Sequence, residues 1–340
     1  MTQPRQRNAV RTVLLVAALL VAVLPGAVGA QPAALKVKVA EVKASDNACL
    51  KYLPPDWWLV ANVDIKAYFD FVAQAQQGGG AANPGAAMLK QYMQMAQMFT
   101  GIDMTKDLQY ATLILSGDPD GDVSFLGAIK GTFNNAIVRG RLAGTLGQGM
   151  KEQFYGGQTI YAGGEAAYCL PEPSTILVGD TAGLKRTIDR MKKGSFTMPP
   201  SLKKTLDRTN ARSIVWAATR PQVILNVKAL GDWRRDHKAF CGQMQAIEYL
   251  SVFFEMAEDG FLVNALACLP GAPQAKRLGA YLAGRRDALL KTEGSNVLFC
   301  SFLVMSQVAA DDRYVRGSLH LTGKAFGDLW NTKVIVKPKP

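Results

Sequence analysis

The chain has 340 residues, 49% of them apolar, which is enough to fill packed cores and excludes wholesale disorder. Its formal charge of +12 draws it towards anionic surfaces such as lipid headgroups, wall polymers or an acidic protein. With only two histidines, His237 and His320, a His-based zinc site or a Ser-His triad is not expected.

Residues 1–30 have the pattern of a cleaved secretory signal peptide. Arg5, Arg7 and Arg11 form a positive start, an uncharged apolar run extends from Val13 to Leu24, and Ala27-Val28-Gly29-Ala30 supplies small residues for cleavage before Gln31. The run is shorter than the ~20 residues a bilayer span needs. No later segment is long and apolar enough either, so no transmembrane segment is expected after cleavage. The protein is therefore expected to be periplasmic or extracellular, away from nucleic acid. Its expected partner is another protein or an anionic envelope surface.

Residues 31–48 read as an N-terminal extension in which 35–42 alternate like a strand. A first unit, 49–196, then begins. Residues 57–63 (WWLVANV) are a strand, with one of Trp57 and Trp58 expected in the core and the other outside. Asp64 is placed to cap a helix, residues 77–86 are a Gly-rich break, and a second helix is expected over 88–99. Strands 109–116 and 122–130 flank Gly117-Asp118-Pro119-Asp120-Gly121, a strong hairpin signal. A helix over 135–148 and strands near 158–162, 166–170 and 174–179 follow, and Asp180 caps a helix over 181–193.

Gly194-Ser195 and Pro199-Pro200 mark a boundary. The second unit, 197–330, repeats the order. Strand 213–219 ends at Thr219, a candidate cap, with Pro221 opening a helical region to Met244. Strands 247–256 and 261–268 enclose Asp259-Gly260, Pro273 opens a helix to about Lys291, and strands 296–306 and 313–321 precede a short helix. Residues 331–340 should be a disordered tail. Tyr110 and Tyr249 are 139 apart, as are Gly121 and Gly260. The expected fold class is α+β: two similar antiparallel sheet units, helices packed on one face, related by internal duplication.

The phrase Tyr52-Leu53-Pro54-Pro55-Asp56, followed by LVANVDI, resembles the opening of repeated α+β units in a group of uncharacterised exported bacterial proteins. The run Phe125–Phe133 is similar to their strand before the central helix. The resemblance covers 50–195 and, more loosely, the second half. It implies fold and export and brings no catalytic motif, cofactor or metal.

The residues themselves carry little chemistry. There is no GxSxG, HExxH, P-loop or GxGxxG after a strand. Asp118-Pro119-Asp120-Gly121-Asp122 begins like a calcium loop, but its twelfth position is Ile129 where a glutamate is required. Met88, Met95 and Met98 form a helix stripe that core packing explains better than copper. Five cysteines, Cys49, Cys169, Cys241, Cys268 and Cys300, cannot all pair within one chain, and the sequence assigns no disulfide.

Charge is the most informative feature. Between Lys185 and Arg212 nine residues are basic and only Asp189 and Asp207 are acidic. Two similar phrases occupy this window, Gly183–Arg190 (GLKRTIDR) and Ser201–Arg208 (SLKKTLDR). In each, apolar residues four apart, Leu184 with Ile188 and Leu202 with Leu206, should turn inward. That leaves Lys185, Arg186, Lys192, Lys193, Lys203, Lys204 and Arg208 as a candidate anion-binding set. Trp233, Arg234 and Arg235 form a candidate partner contact of aromatic and guanidinium groups. The expectation is an exported binding or structural module without enzymatic activity. Its alternative is a binder of anionic cell-envelope material through 185–212.

Overall fold

The computed structural model describes residues 44–70, 91, 94, 97, 98, 100–146, 151–163, 166–194, 197–209, 213–257, 260–292 and 306–322. The signal peptide, the strand-like stretch 35–42, the Gly-rich break, most of the helix over 88–99, strand 296–306 up to its last residue, the short helix after 322 and the tail lie outside these residues.

Alternating apolar runs and turn residues produce, among the described residues, twelve strands in one antiparallel sheet. In chain order they are β1 (Trp57–Asp64), β2 (Leu108–Gly117), β3 (Val123–Gly131), β4 (Lys151–Tyr155), β5 (Gln158–Gly163), β6 (Ala166–Glu172), β7 (Thr175–Gly179), β8 (Ser213–Thr219), β9 (Tyr249–Ala257), β10 (Gly260–Cys268), β11 (Ser306–Asp311) and β12 (Tyr314–Thr322). Their spatial order is β11-β12-β10-β9-β8-β1-β2-β3-β7-β6-β5-β4. The two halves meet where β1 pairs with β8, Ala61 opposite Ala217. Counted outward from this seam, the β2–β3 and β9–β10 hairpins hold the same place. The sheet runs on across the Pro199-Pro200 boundary, and one buried cluster includes residues of both halves, from Leu126 and Leu177 to Phe253 and Tyr314.

The helices are α1 (Asn135–Leu146), α2 (Thr181–Lys193), α3 (Pro200–Asp207), α4 (Pro221–Leu225), α5 (Gly231–Asp236), α6 (Lys238–Met244) and α7 (Ala272–Thr292), with residues 65–70 also helical. They cover both faces of the sheet, not one. Neighbouring strand residues point to opposite faces, and both members of such pairs are buried. Leu177 and Cys169 belong to the cluster under α2 and α3, while Ile176 and Tyr168 belong to another with Val138 of α1. In the second half, Leu266 and Tyr314 face the α3 side, and Ala267 and Val315 pack with Leu278 of α7. Central strands buried on both faces lose the alternation that marks a one-sided sheet.

The same cause corrects the tryptophan expectation. Trp57 and Trp58 are both buried, at 3% and 1% exposure. The pairing of β1 with β2 shifts register between Trp57 and Leu59. Trp57 stacks on Tyr249 with ring centroids 6.0 Å apart.

Two short 3-10 turns, Ala44–Asp46 and Ala48–Tyr52, precede β1. The first lies in the stretch read from sequence as an extension, yet Ala44 and Asn47 are buried. The Asn47 side chain donates to Asn62 Oδ1 at 2.8 Å and Thr112 Oγ1 at 3.1 Å, and accepts from the Cys49 N–H at 2.8 Å. This latch ties the segment to β1 and β2 and satisfies polar groups that burial would otherwise penalise.

Candidate functional site

Helix α2 is well bounded. Asp180 Oδ1 accepts from the Gly183 N–H at 2.6 Å, as the sequence indicated, and Ser124 donates to its other oxygen at 2.5 Å. Gly194 closes the helix at φ 63°, a left-handed turn that costs glycine little. Helix α3 starts on Pro200 without a side-chain cap. Leu184, Ile188, Leu202 and Leu206 are all at or below 1% exposure, so both amphipathic phrases seat as expected.

The seven candidate cations lie on one side of the sheet but over different halves. α2 packs on β3, β5, β6, β7 and the 48–52 turn, whereas α3 packs on β9, β10 and the 44–46 turn. The segment before β1 lies against both helices.

Their electrostatics differ. On α3, Lys203 pairs with Asp207 at 2.8 Å and Arg208 with Asp311 at 3.2 Å. The Arg208 guanidinium also sits 4.0 Å above the Tyr314 ring. Lys204 is exposed. On α2, Asp189 is engaged by the Tyr155 hydroxyl at 2.8 Å. Lys185 lies 5.2 Å from the centre of the Tyr155 ring, and Arg186, Lys192 and Lys193 are exposed. None of the ion pairs among the described residues involves these four cations. Arg190 turns in towards the Tyr52 and Lys51 carbonyls at 3.4 and 3.5 Å, and burial lowers its pKa.

Trp233 is 39% exposed and stacks on His237, 4.7 Å between ring centroids. Arg235 pairs with Asp232 at 2.7 Å, and Arg234 reaches Asn226 at 3.5 Å. The cluster on α5 is therefore partly self-satisfied. His237 Nδ1 lies 2.9 Å from the Trp233 carbonyl.

The aspartates of the β2–β3 turn serve structure. Asp118 accepts from the Asp120 N–H, and both Asp120 carboxylate oxygens accept from the Lys228 N–H at 2.8 and 3.0 Å. No group of His, Cys, Asp and Glu able to hold a metal occurs among the described residues. Cys49, Cys169, Cys241 and Cys268 are buried free thiols. Thr219 does not cap α4; its hydroxyl donates to the Trp58 carbonyl at 2.6 Å, closing the β1–β8 seam.

An open groove of about 460 Å³ lies between residues 132–135 and 170–174. Its polar groups bind one another: Ser174 donates to the Phe133 carbonyl at 2.9 Å, and Asn135 receives the Ser174 N–H at 3.0 Å. Sequence reasoning missed β4 and with it Tyr155, the residue that occupies the one acid of α2. Lys151–Tyr155 is short and mixed in polarity, and its only signal is the Gly156-Gly157 turn that follows.

No protein-family model matches the chain, and none of the curated proteins does. Solved structures of TP0453 are similar at 10% identity. Crystal form III gives a TM-score of 0.42, covering 83% of this chain and 96% of that one. Crystal form IV gives 0.42, covering 88% and 99%, and form I gives 0.40, covering 83% and 95%. No helix of the described residues is long and apolar enough to cross a membrane.

Proposed function

We propose that the protein is an exported binding module that acts through its surface, and that the surface is the cationic face of α2, which takes anionic cell-envelope material. The observation that carries this reading is the contrast in neutralisation. Lys185, Arg186, Lys192 and Lys193 have Asp189 as the only acid on their helix, and Tyr155 occupies it. The cations of α3 are largely paired. Exposed charge of one sign raises the local concentration of opposite charge, with a reach set by the Debye length of about 8–10 Å. The proposed ligand chemistry is phosphate, carboxylate or sulfate on a repeating surface.

Retention on immobilised heparin tests this. Replacing Lys185, Arg186, Lys192 and Lys193 with Gln should lower the eluting salt concentration well below that of the native protein. Replacing Lys203, Lys204 and Arg208 should lower it less. Equal losses would reduce the effect to net charge, and a native protein that passes through at low salt would end the proposal.

We infer separately that the two halves descend from one duplicated unit. The strand order outward from the β1–β8 seam and the equal spacing of Tyr110/Tyr249 and Gly121/Gly260 support it. A superposition of the halves that failed to bring the two hairpins together would overturn it.

A further inference from the structure

Two copies of one phrase stand in different surroundings in this molecule. Gly183–Arg190 and Ser201–Arg208 align residue for residue, so Lys185 is the equivalent of Lys203, and Asp189 of Asp207. In both helices the lysine stands four residues before the aspartate, a spacing at which the two side chains can pair. α3 makes the pair: Lys203 Nζ lies 2.8 and 3.1 Å from the two Asp207 carboxylate oxygens. In α2 the same two residues are held apart. Lys185 Nζ lies 5.2 Å from the centre of the Tyr155 ring, and the Tyr155 hydroxyl donates to Asp189 Oδ2 at 2.8 Å. That hydrogen bond holds the phenol proton and raises the Tyr155 pKa.

The turn after Tyr155 puts it there. Tyr155 pairs with Gln158 at the end of the β4–β5 hairpin. Gly156, at φ 63°, rests on α2 so closely that an added Cβ would lie 2.5 Å from Ile188 Cγ2. Ile188 is buried at 1% exposure and directly precedes Asp189. The hydroxyl is thus carried to Asp189 by backbone packed on the core. At the equivalent place on α3, Asp207 is reached by Ser45 and Lys203. The Asp189 carboxylate keeps its charge in either arrangement, so the hydroxyl leaves the net charge of the face unchanged. Contact is what differs: an unpaired ammonium meets an anion without first giving up a partner.

Resting on the reading of α2 as an anion-binding face, we propose that Tyr155 is the positioning residue of that face: it occupies Asp189, keeps Lys185 from pairing as Lys203 does, and so leaves the Lys185 ammonium for the ligand. Two measurements on the same purified proteins test this. Acetylation of each lysine by limiting acetic anhydride, read by peptide mass spectrometry, reports pairing, because an ion-paired ammonium gives up its proton less readily. Heparin retention reports binding. Tyr155→Phe keeps the ring and removes the hydroxyl. It should slow acetylation of Lys185 by about three-fold, the scale of one exposed pair, and leave Lys203 and Lys204 unchanged. Adding Asp189→Asn should restore the native rate. Tyr155→Phe should also lower the eluting salt concentration on heparin, but not in a Lys185→Gln background. An unchanged Lys185 rate overturns the proposal. So does an equal loss of retention with and without Lys185, which would make the role of Tyr155 structural. If the native protein passes through heparin at low salt, the anion-binding reading fails and takes the ligand role of Tyr155 with it. The Lys185 rate then separates that failure from a failure of the pairing itself. Thermal melts check that Tyr155→Phe, which loses one hydroxyl, stays folded.

Discussion

Helices α2 and α3 carry nearly the same eight-residue phrase and put it to different use. Leu184 matches Leu202, Ile188 matches Leu206, and all four are buried. Thr187 donates to the Gly183 carbonyl at 2.9 Å, as Thr205 does to that of Ser201 at 2.7 Å. The inward face is thus the same solution twice. The outward face diverges at the aspartate: Asp189 faces Tyr155 of β4, while Asp207 holds Lys203 and takes a hydrogen bond from Ser45. A helix's apolar stripe follows from its own sequence, but the pairing of its charges depends on what stands beside it.

The inward equivalence is the part most open to a decisive test. Leu184→Ala and Leu202→Ala should each cost about 2–5 kcal/mol in urea unfolding, because both side chains are fully enclosed and leave cavities. A cost confined to one of them would break the comparison.

A pH series next probes the core that the two helices share. Burial pushes the Cys49 thiol up to about 11 and the Cys169 thiol up to about 12. Both lie in the cluster on the α2–α3 side of the sheet, and the elements that carry them contact α2. The folded state holds these protons after the unfolded chain has released them near pH 9, so their stabilising effect is complete below that point. It is lost as pH rises towards the folded values, by an amount on the order of a few kcal/mol. Urea midpoints at pH 8 and 10.5 should therefore separate, and the gap should narrow in a Cys49→Ala, Cys169→Ala variant. An unchanged gap would place the loss in other groups.

Capping should distinguish α2 from α3 by a smaller amount. Asp180→Ala removes an N-cap that also receives Ser124, and should cost about 1 kcal/mol. Pro200→Ala, at a helix start without a side-chain cap, should change stability by only a few tenths of a kcal/mol. The smallest effects should come from the exposed cations. Lys192→Gln and Lys193→Gln should leave the melting temperature unchanged, since exposed charges contribute little to folding. A large shift there would mean that these side chains hold the fold and are not free for a ligand.

Much of this was legible in the chain because it depends on near neighbours in sequence. The β2–β3 turn, the cap at Asp180, the inward leucines and the basic window follow from spacing and local chemistry, and each appears where the residues place it. What depended on distant residues was not legible. Two adjacent buried tryptophans look like an alternating strand until both faces of the sheet are covered and the register of β1 on β2 shifts beside them. Thr219 looks like a helix cap until the Trp58 carbonyl, 161 residues away, accepts its proton. The seven cations look like one ridge until the sheet spreads α2 and α3 over separate halves and Asp311 and Tyr314 come to meet Arg208. The sequence by itself determined the α+β class, the helical stripes and the basic excess, because periodicity and charge are properties of the chain. The tertiary structure alone decided which faces are covered, which charges are paired and which aromatic stands in water, because each is settled by residues brought together from far apart.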